Sequence, residues 1–332
     1  MKKTLLKIIY NFGGFAPFHW TNRGKILILM YHRFSRESNP YKISAREFTA
    51  HLEYLSKRSR VLPLSEIIDC LKNETPLPPN AAVITIDDGY ADVYDVAFPL
   101  LKKFEMPATL FAVTDFIDGK CWLWTDLMRY VLLDTKAESL NIEFADGEKI
   151  EAKLTGENGK EKDRLEIAGR VNSKLKRLPD EEKEAKIKEI SAYLNVKIPV
   201  LPTPEYAPIS WEQAREMDAG NLKIESHTVT HPILTNINQA RLDYELQTSK
   251  SRLESVLGRK VEHFCYPNGN LNSDVRKSVE KAGYESAVTT DYGFNGKQTN
   301  QFALNRIDAP SPIEKFAQSA SGFESFTRKI RN

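Results

Sequence analysis

Residues 26–31, 82–86 and 108–113 are short, continuous apolar runs, and 222–224 and 263–265 read as shorter strands of the same kind. Between them lie segments whose apolar residues return at helical spacing. This succession leaves little choice of architecture, because strands joined through helices pair in parallel with right-handed crossovers. Sheets built this way carry their functional residues at the carboxyl ends of the strands. Ser44-Ala45-Arg46-Glu47 is a capping box that opens a helix continued by Phe48, Leu52 and Leu55. Residues 96–104 form a second helix, and Ser210-Trp211-Glu212-Gln213 opens a third that Gly220 ends. Residues 238–257 form a long helix with Leu242, Leu246, Ser249 and Leu253 on one side.

The texture changes between about 119 and 206. Residues 140–144 and 149–154 alternate around Asp146-Gly147, a hairpin signal. A highly charged stretch follows, with helical stripes at Leu165, Ala168, Val171 and Leu175 and at Ile187, Ile190 and Leu194, before Pro202 and Pro204 mark a return linker. The chain therefore divides into an N-terminal segment, 1–25, and one domain, 26–332, interrupted by an insertion at about 119–206. A length of 332 residues, 41% of them hydrophobic, suits that division. The charge of the insertion is read as a solvated helix face rather than a binding patch.

With 47 basic against 45 acidic residues, no charge excess points to a nucleic-acid partner. Cys70, Cys121 and Cys265 are odd in number and lack a CxxC, which argues against a disulfide framework and a zinc ribbon. No apolar run reaches the roughly 18 residues needed to span a bilayer. The apolar stretch after Met1-Lys2-Lys3 is broken by Lys7 and Asn11 and lacks an A-x-A cleavage site, so a cytoplasmic location is expected. Leu5, Leu6, Ile8, Ile9, Phe12, Phe15, Phe18 and Trp20 either pack on the domain or dock the N-terminus on a membrane face.

The strand ends hold the chemistry. Asp87-Asp88-Gly89 follows one apolar run, and side chains of adjacent residues leave the backbone in different directions, so one carboxylate can enter a metal shell while the other stays free. Gly89 would let a substrate or ion approach the backbone; an ordinary turn is the plainer reading. His227-Thr228-Val229-Thr230-His231 places two of the six histidines four residues apart, a spacing that brings both to one ion on a helical turn or a compact loop. Two imidazoles and one carboxylate, with positions left open, make a catalytic shell for zinc or a similar divalent ion.

Thr85-Ile86-Asp87-Asp88-Gly89 resembles the first motif of the polysaccharide deacetylases that share the chitooligosaccharide deacetylase (NodB) homology domain, and His227-Thr228-Val229-Thr230-His231 resembles their second. Phe264-Cys265-Tyr266-Pro267-Asn268-Gly269 is similar to the third, and Met30-Tyr31-His32 to the first-strand signature of the branch acting on secreted and surface polysaccharides. The resemblance covers about 26–113 and 209–310. It implies an α/β fold, a distorted (β/α)7-type barrel, with Asp88, His227 and His231 on the metal and Asp87 as base. Zinc is the expected ion, with cobalt, nickel and manganese as alternatives. The implied reaction is hydrolysis of the acetamide of an N-acetylhexosamine in a polymeric or lipid-linked saccharide, with a backbone N–H of the loop Tyr266, Pro267 and Asn268 stabilising the oxyanion.

The family pattern has an arginine in its third motif and a late Leu-x-His that supplies the acid. Here Cys265 stands in the first place and Leu304-Asn305-Arg306 in the second, and no histidine follows His263. His32 is the candidate replacement acid; a core histidine donating to a backbone carbonyl is the alternative. Arg306 is expected to pair with Asp87 and keep it ionised, or else to bridge Asp308 or Glu285 at the surface. Tyr266 lines the sugar cleft or packs, and Trp211 reads as a core anchor. Two other readings use the same residues: an O-acetyl esterase or cyclic-amide hydrolase, and a non-catalytic carbohydrate-binding protein.

Overall fold

The apolar runs become strands because each is buried on both faces. Leu27–Tyr31 (β1), Ala81–Asp88 (β2), Ala108–Ala112 (β3), Leu222–Ser226 (β4), His263–Cys265 (β5), Ser286–Tyr292 (β6) and Leu304–Asp308 (β7) are parallel, each paired with its neighbours in the sequence, and β1 pairs with both β2 and β7 to close the ring. The expected (β/α)7-type barrel is thus what the chain forms. Its distortion shows where the β6–β7 register shifts between Val288 and Tyr292. An extra two-residue strand, Arg60–Val61, adds to the start of β2. The computed structural model describes residues 3–324; Met1 and Lys2, where the leader-like reading began, and 325–332 at the end of the domain lie outside the described residues.

Period-two alternation sorts the strand residues into two layers. Leu27, Leu29, Tyr31, Ala82, Ile84 and Ile86 pack with Phe48, Leu52 and Leu55 in the outer layer of helices. Ile28, Val83, Phe111, Cys265, Val288 and Leu304 fill the barrel interior, which Leu64, Ile67 and Ile68 of the helix Leu64–Lys72 close at one end. By the same alternation Thr85 and Asp87 of β2 and Arg306 of β7 share the interior side at the other end.

Both capping boxes are formed, Ser44 with Glu47 and Ser210 with Gln213, and left-handed Gly258 ends the helix Gln239–Leu257. The helix read over 96–104 differs: Val93–Ala97 is a π turn leading into Phe98–Lys103, because Pro99 has no N–H to continue the ladder. β6 and the helices Leu64–Lys72, Ser273–Lys281 and Ile313–Ser321 complete the barrel.

Within residues 119–206 the helix Trp124–Asp134, the antiparallel hairpin Ser139–Glu143 with Lys149–Lys153, and the helices Glu161–Leu175 and Asp180–Tyr193 enclose their own apolar cluster. Ile167 joins Ala168, Val171 and Leu175 in that cluster, while Leu165 faces a cavity. At the N-terminus Leu6 and Phe15 pack on Ala317, whereas Leu5, Ile8, Phe12 and Trp20 are exposed. No described helix is long and apolar enough to cross a membrane.

Candidate metal centre and active-site cavity

Asp87 and Arg306 meet inside the barrel mouth. The guanidinium grips the carboxylate with both arms, Nη1 to Oδ1 and Nη2 to Oδ2, each at 2.7 Å. Nε–H donates to the Thr289 carbonyl at 2.7 Å, and Nη1–H also reaches Thr85 Oγ1 at 3.1 Å. The Thr85 hydroxyl in turn donates to the Leu29 carbonyl at 2.7 Å. Nη2 lies 3.1 Å from Cys265 Sγ, whose thiol faces Asp87 Oδ2 at 3.5 Å. Burial alone would push the Asp87 carboxyl up, but the Arg306 charge and its two bonds hold it well below the usual carboxylate range. The surface alternatives for Arg306 are excluded by its 1% exposure.

Asp88, the last residue of β2, turns away from this pair at a φ of +80°. Gly89 follows at +97°, and a Cβ there would make ordinary contacts with Ile117 and Ala112. The glycine is needed for its backbone angle, in keeping with a turn at this strand end.

His227 to His231 form a compact loop, not a helical turn. The Glu245 carboxylate accepts from the Val229 N–H at 2.8 Å, the Thr230 N–H at 3.0 Å and the Thr230 hydroxyl at 2.7 Å. The His231 N–H donates to Thr228 Oγ1 at 3.0 Å. Thr228 and His231 adopt positive φ values of 73° and 60°. So folded, the loop brings Nε2 of both histidines to 3.6 Å from Asp88 Oδ1.

The donor set fits a divalent cation. His227 Nδ1 lies 2.8 Å from the Cys265 carbonyl, which can only accept, so Nδ1 carries the proton and Nε2 the lone pair. Burial lowers His227 to about 4 and holds His231 well below its usual value, keeping both imidazoles neutral, and lifts the Asp88 carboxyl to about 7. The ligand atoms of Asp88, His227 and His231 lie within 4.8 Å of one another. Two ligands on one tetrahedral zinc are about 3.4 Å apart, close to the separations here. Asp87, His227 and Cys265 also cluster, but Arg306 occupies both Asp87 oxygens.

These residues border a cavity of about 1030 Å³, one wall of which comes from the inserted block. His32 lines it with 43% of its side chain exposed, its Nε2 3.7 Å from Asp87 Oδ2, so it is not a core histidine. Tyr266 does not reach the cavity. Its ring packs in the barrel wall, its hydroxyl donates to the Phe302 carbonyl at 3.0 Å, and its N–H donates to the Val288 carbonyl at 3.2 Å. Pro267 has no N–H, so the expectation of an oxyanion donor in this loop narrows to Asn268, which does line the cavity. Gly269 holds that turn against Thr290: a Cβ there would lie 2.0 Å from Thr290 Oγ1. Trp211 donates to Asp118 at 2.7 Å and packs as an anchor.

Sequence reasoning missed Glu245 and a polar network in the cavity wall. The Tyr90 hydroxyl donates to Asp126 at 2.5 Å, Arg33 lies 4.0 Å over the Tyr90 ring, and Arg33 also pairs with Asp92 at 2.7 Å. The available signal for Glu245 was an acid inside the apolar stripe of residues 238–257.

Residues 74–287 match the family described as polysaccharide deacetylase. YxkH of Bacillus subtilis, named for a polysaccharide deacetylase, is 23% identical over 308 residues, which is 92% of this chain and 77% of that protein. A poly-beta-1,6-N-acetyl-D-glucosamine N-deacetylase of Staphylococcus epidermidis is 34% identical over 106 residues, 32% of this chain and 36% of its own. Among solved structures, the Streptococcus pyogenes deacetylase PplD superposes with a TM-score of 0.59 at 19% identity over 90% of this chain and 99% of that one. IcaB from Ammonifex degensii does so at 0.55 and 21% identity, over 89% and 97%. At these identities the structural likeness establishes the barrel.

Proposed function

Because the chain belongs to the polysaccharide deacetylase family and is thus a hydrolytic deacetylase, we propose that it removes N-acetyl groups from an N-acetylhexosamine-containing polysaccharide or lipid-linked saccharide and releases acetate. The observation that carries this reading is the convergence of Asp88, His227 and His231 beside an Arg306-held Asp87 at the floor of one cavity. The named activity of the Staphylococcus epidermidis relative supports an amide over an ester as the bond cleaved.

Asp88, His227 and His231 would hold a divalent cation, zinc before cobalt, nickel or manganese, since neutral imidazoles and a carboxylate suit it. Such an ion supplies Lewis acidity, polarising the acetyl carbonyl and making water acidic enough to react near pH 7. Asp87 takes the proton of the attacking water, for which it must be ionised, and Arg306 keeps it so. Arg306 also fixes the direction of the carboxylate, because both oxygens are held by a rigid fork. Asn268 stands at the cavity edge to donate to the developing oxyanion. His32, on the same side as Asp87 and partly open to the cavity, delivers a proton to the departing amine.

Acetate release from N-acetylglucosamine oligomers, run against O-acetylated xylan with the zinc-loaded chain, tests the reading. Release from the oligomers and little from xylan supports it. The reverse preference replaces it with an esterase.

A further inference from the structure

The His32 ring is not held by contacts of its own. It makes no hydrogen bond among the described residues, its Nε2 stands 3.7 Å from Asp87 Oδ2, and 43% of the side chain is exposed. An acid so placed takes its direction from the backbone that carries it, and a displacement of about 1 Å at a reacting group costs about 10²-fold in rate. On one side that backbone continues β1, whose last residue Tyr31 pairs with Ile86. On the other it runs into Arg33 and Phe34, and one carboxylate catches both. Asp92 Oδ2 accepts from Arg33 Nε at 2.7 Å, and its Oδ1 accepts from the Phe34 N–H at 3.1 Å. Asp92 immediately precedes the π turn Val93–Ala97, so this clamp ties the His32 backbone to the segment that continues from Asp87 and Asp88.

Arg33 borders the cavity, yet its side chain is only 10% exposed and its interactions are with the protein. Nη2 donates to the Glu205 carbonyl at 2.6 Å, and the guanidinium carbon lies 4.0 Å over the Tyr90 ring and 5.7 Å from that of Tyr206. Glu205 and Tyr206 belong to the return segment of the inserted block, and Lys42 pairs with the Glu205 carboxylate at 2.7 Å. Stacked, paired and hydrogen-bonded in this way, Arg33 is suited to hold the chain beside it rather than a sugar. The Phe34 ring packs against Tyr31 and Phe48, which keeps the segment in the core. Packing is non-directional, however, and the turn of the main chain is set by the two Asp92 bonds together with the Ile43 N–H, which donates to the Arg33 carbonyl at 3.0 Å.

We propose that Asp92 and Arg33 are positioning residues for the leaving-group step. They hold His32 beside Asp87 so that Nε2 gives its proton to the nitrogen as the C–N bond breaks and leaves its electron pair there. This rests on the deacetylase reading, with His32 as its acid; what is added is that the acid is placed through its neighbours, and that the inserted block reaches it through Arg33.

Asp92→Asn keeps the shape of the clamp but removes its charge and sets an amide NH2 against one of the two donors. The test compares the zinc-loaded full chain and this variant on two substrates. N-acetylglucosamine oligomers have an amine leaving group that needs a proton, and 4-nitrophenyl acetate has a phenolate that does not. On the oligomers kcat should fall about tenfold or more, with KM within about threefold of wild type and zinc content equal, while the rate on 4-nitrophenyl acetate stays within about threefold. In a His32→Ala background the same substitution should lower the oligomer rate no further. Equal losses on both substrates, no loss on the oligomers, or additive losses in the double variant overturn the proposal. Arg33→Lys, which keeps a charge but loses the planar fork, should show the same selective loss and carries the test if Asp92→Asn does not fold. A crystal structure of the folded variant reads the clamp without activity: His32 Nε2 should shift by about 1 Å or more relative to Asp87, and an unmoved ring overturns the clamp. Wild-type chain that releases no acetate from the oligomers would sink the deacetylase reading and leave the crystallographic readout standing, so the two failures are separable.

Discussion

Replacing Arg306 by glutamine probes how Asp87 is kept ready to act as a base. The change deletes a fully buried charge and both 2.7 Å bonds to the carboxylate. Burial would then push the Asp87 carboxyl up, opposed by His32 at 3.7 Å and by His227. A close opposite charge moves a carboxyl pKa by about 1–3 units, so the acid limb of the kcat/KM profile should rise by about 1–3 pH units. Removing one partner of a buried ion pair costs about 3–5 kcal/mol, a fall in Tm of roughly 4–7 °C for a chain of this length. The sign follows from the depressed folded pKa of Asp87. Its pairing stabilises the fold above the carboxylate's unfolded pKa and is lost as pH falls through the folded one, so the stability gap between wild type and variant is full at pH 7 and narrows in strong acid. Acetate release measured from pH 4 to 9, with urea denaturation of the same samples, reads both effects. Arg306→Lys keeps a charge but not the fork and should fall between. A folded Arg306→Gln enzyme with an unmoved acid limb would refute the reasoning.

His32→Ala should lower kcat by about 10²–10⁴ with metal content unchanged, and a wild-type rate at saturating metal would remove His32 from the mechanism. Glu245→Gln loosens the 227–231 loop, so zinc affinity measured by chelator competition should drop about 10–100-fold; unchanged affinity would show that the loop holds itself. Burial lowers His51 to about 3 and His263 to about 4, so the unfolded chain takes up protons below pH 6.5 that the folded chain refuses. Metal-free protein should therefore lose stability as pH falls from 6.5 toward 4, by about 1.4 kcal/mol per unit for each such imidazole, and His51→Phe should flatten the slope.

The barrel was legible because strands buried on both faces leave continuous apolar runs, as in residues 82–86, and because the two capping boxes fix helix starts locally. β6 was harder to see, since it ends in the exposed, polar Thr290 and Asp291. The π turn before Pro99 was legible only in hindsight, because the sequence shows the proline but not which carbonyls it strands. Within the site, spacing alone points to an ion shared by His227 and His231, and the place of Arg306 near a late strand end points to its pairing with Asp87. The alternatives at Gly89 and Tyr266 stay open in the sequence for one reason. Whether a residue beside a strand end faces a cavity or a neighbouring strand depends on a backbone angle and a register that no local pattern encodes. Glu245 and Asp126 were missed because each acts through a loop brought to it by the tertiary fold.

Anomalous diffraction from crystals of the zinc-loaded chain tests the central claim most directly. The account predicts one ion within about 2.0–2.2 Å of Asp88, His227 Nε2 and His231 Nε2, with Asp87 still gripped by Arg306 and bound to no metal. Zinc absent from that position, or an ion bound through Asp87 and Cys265 instead, would contradict it.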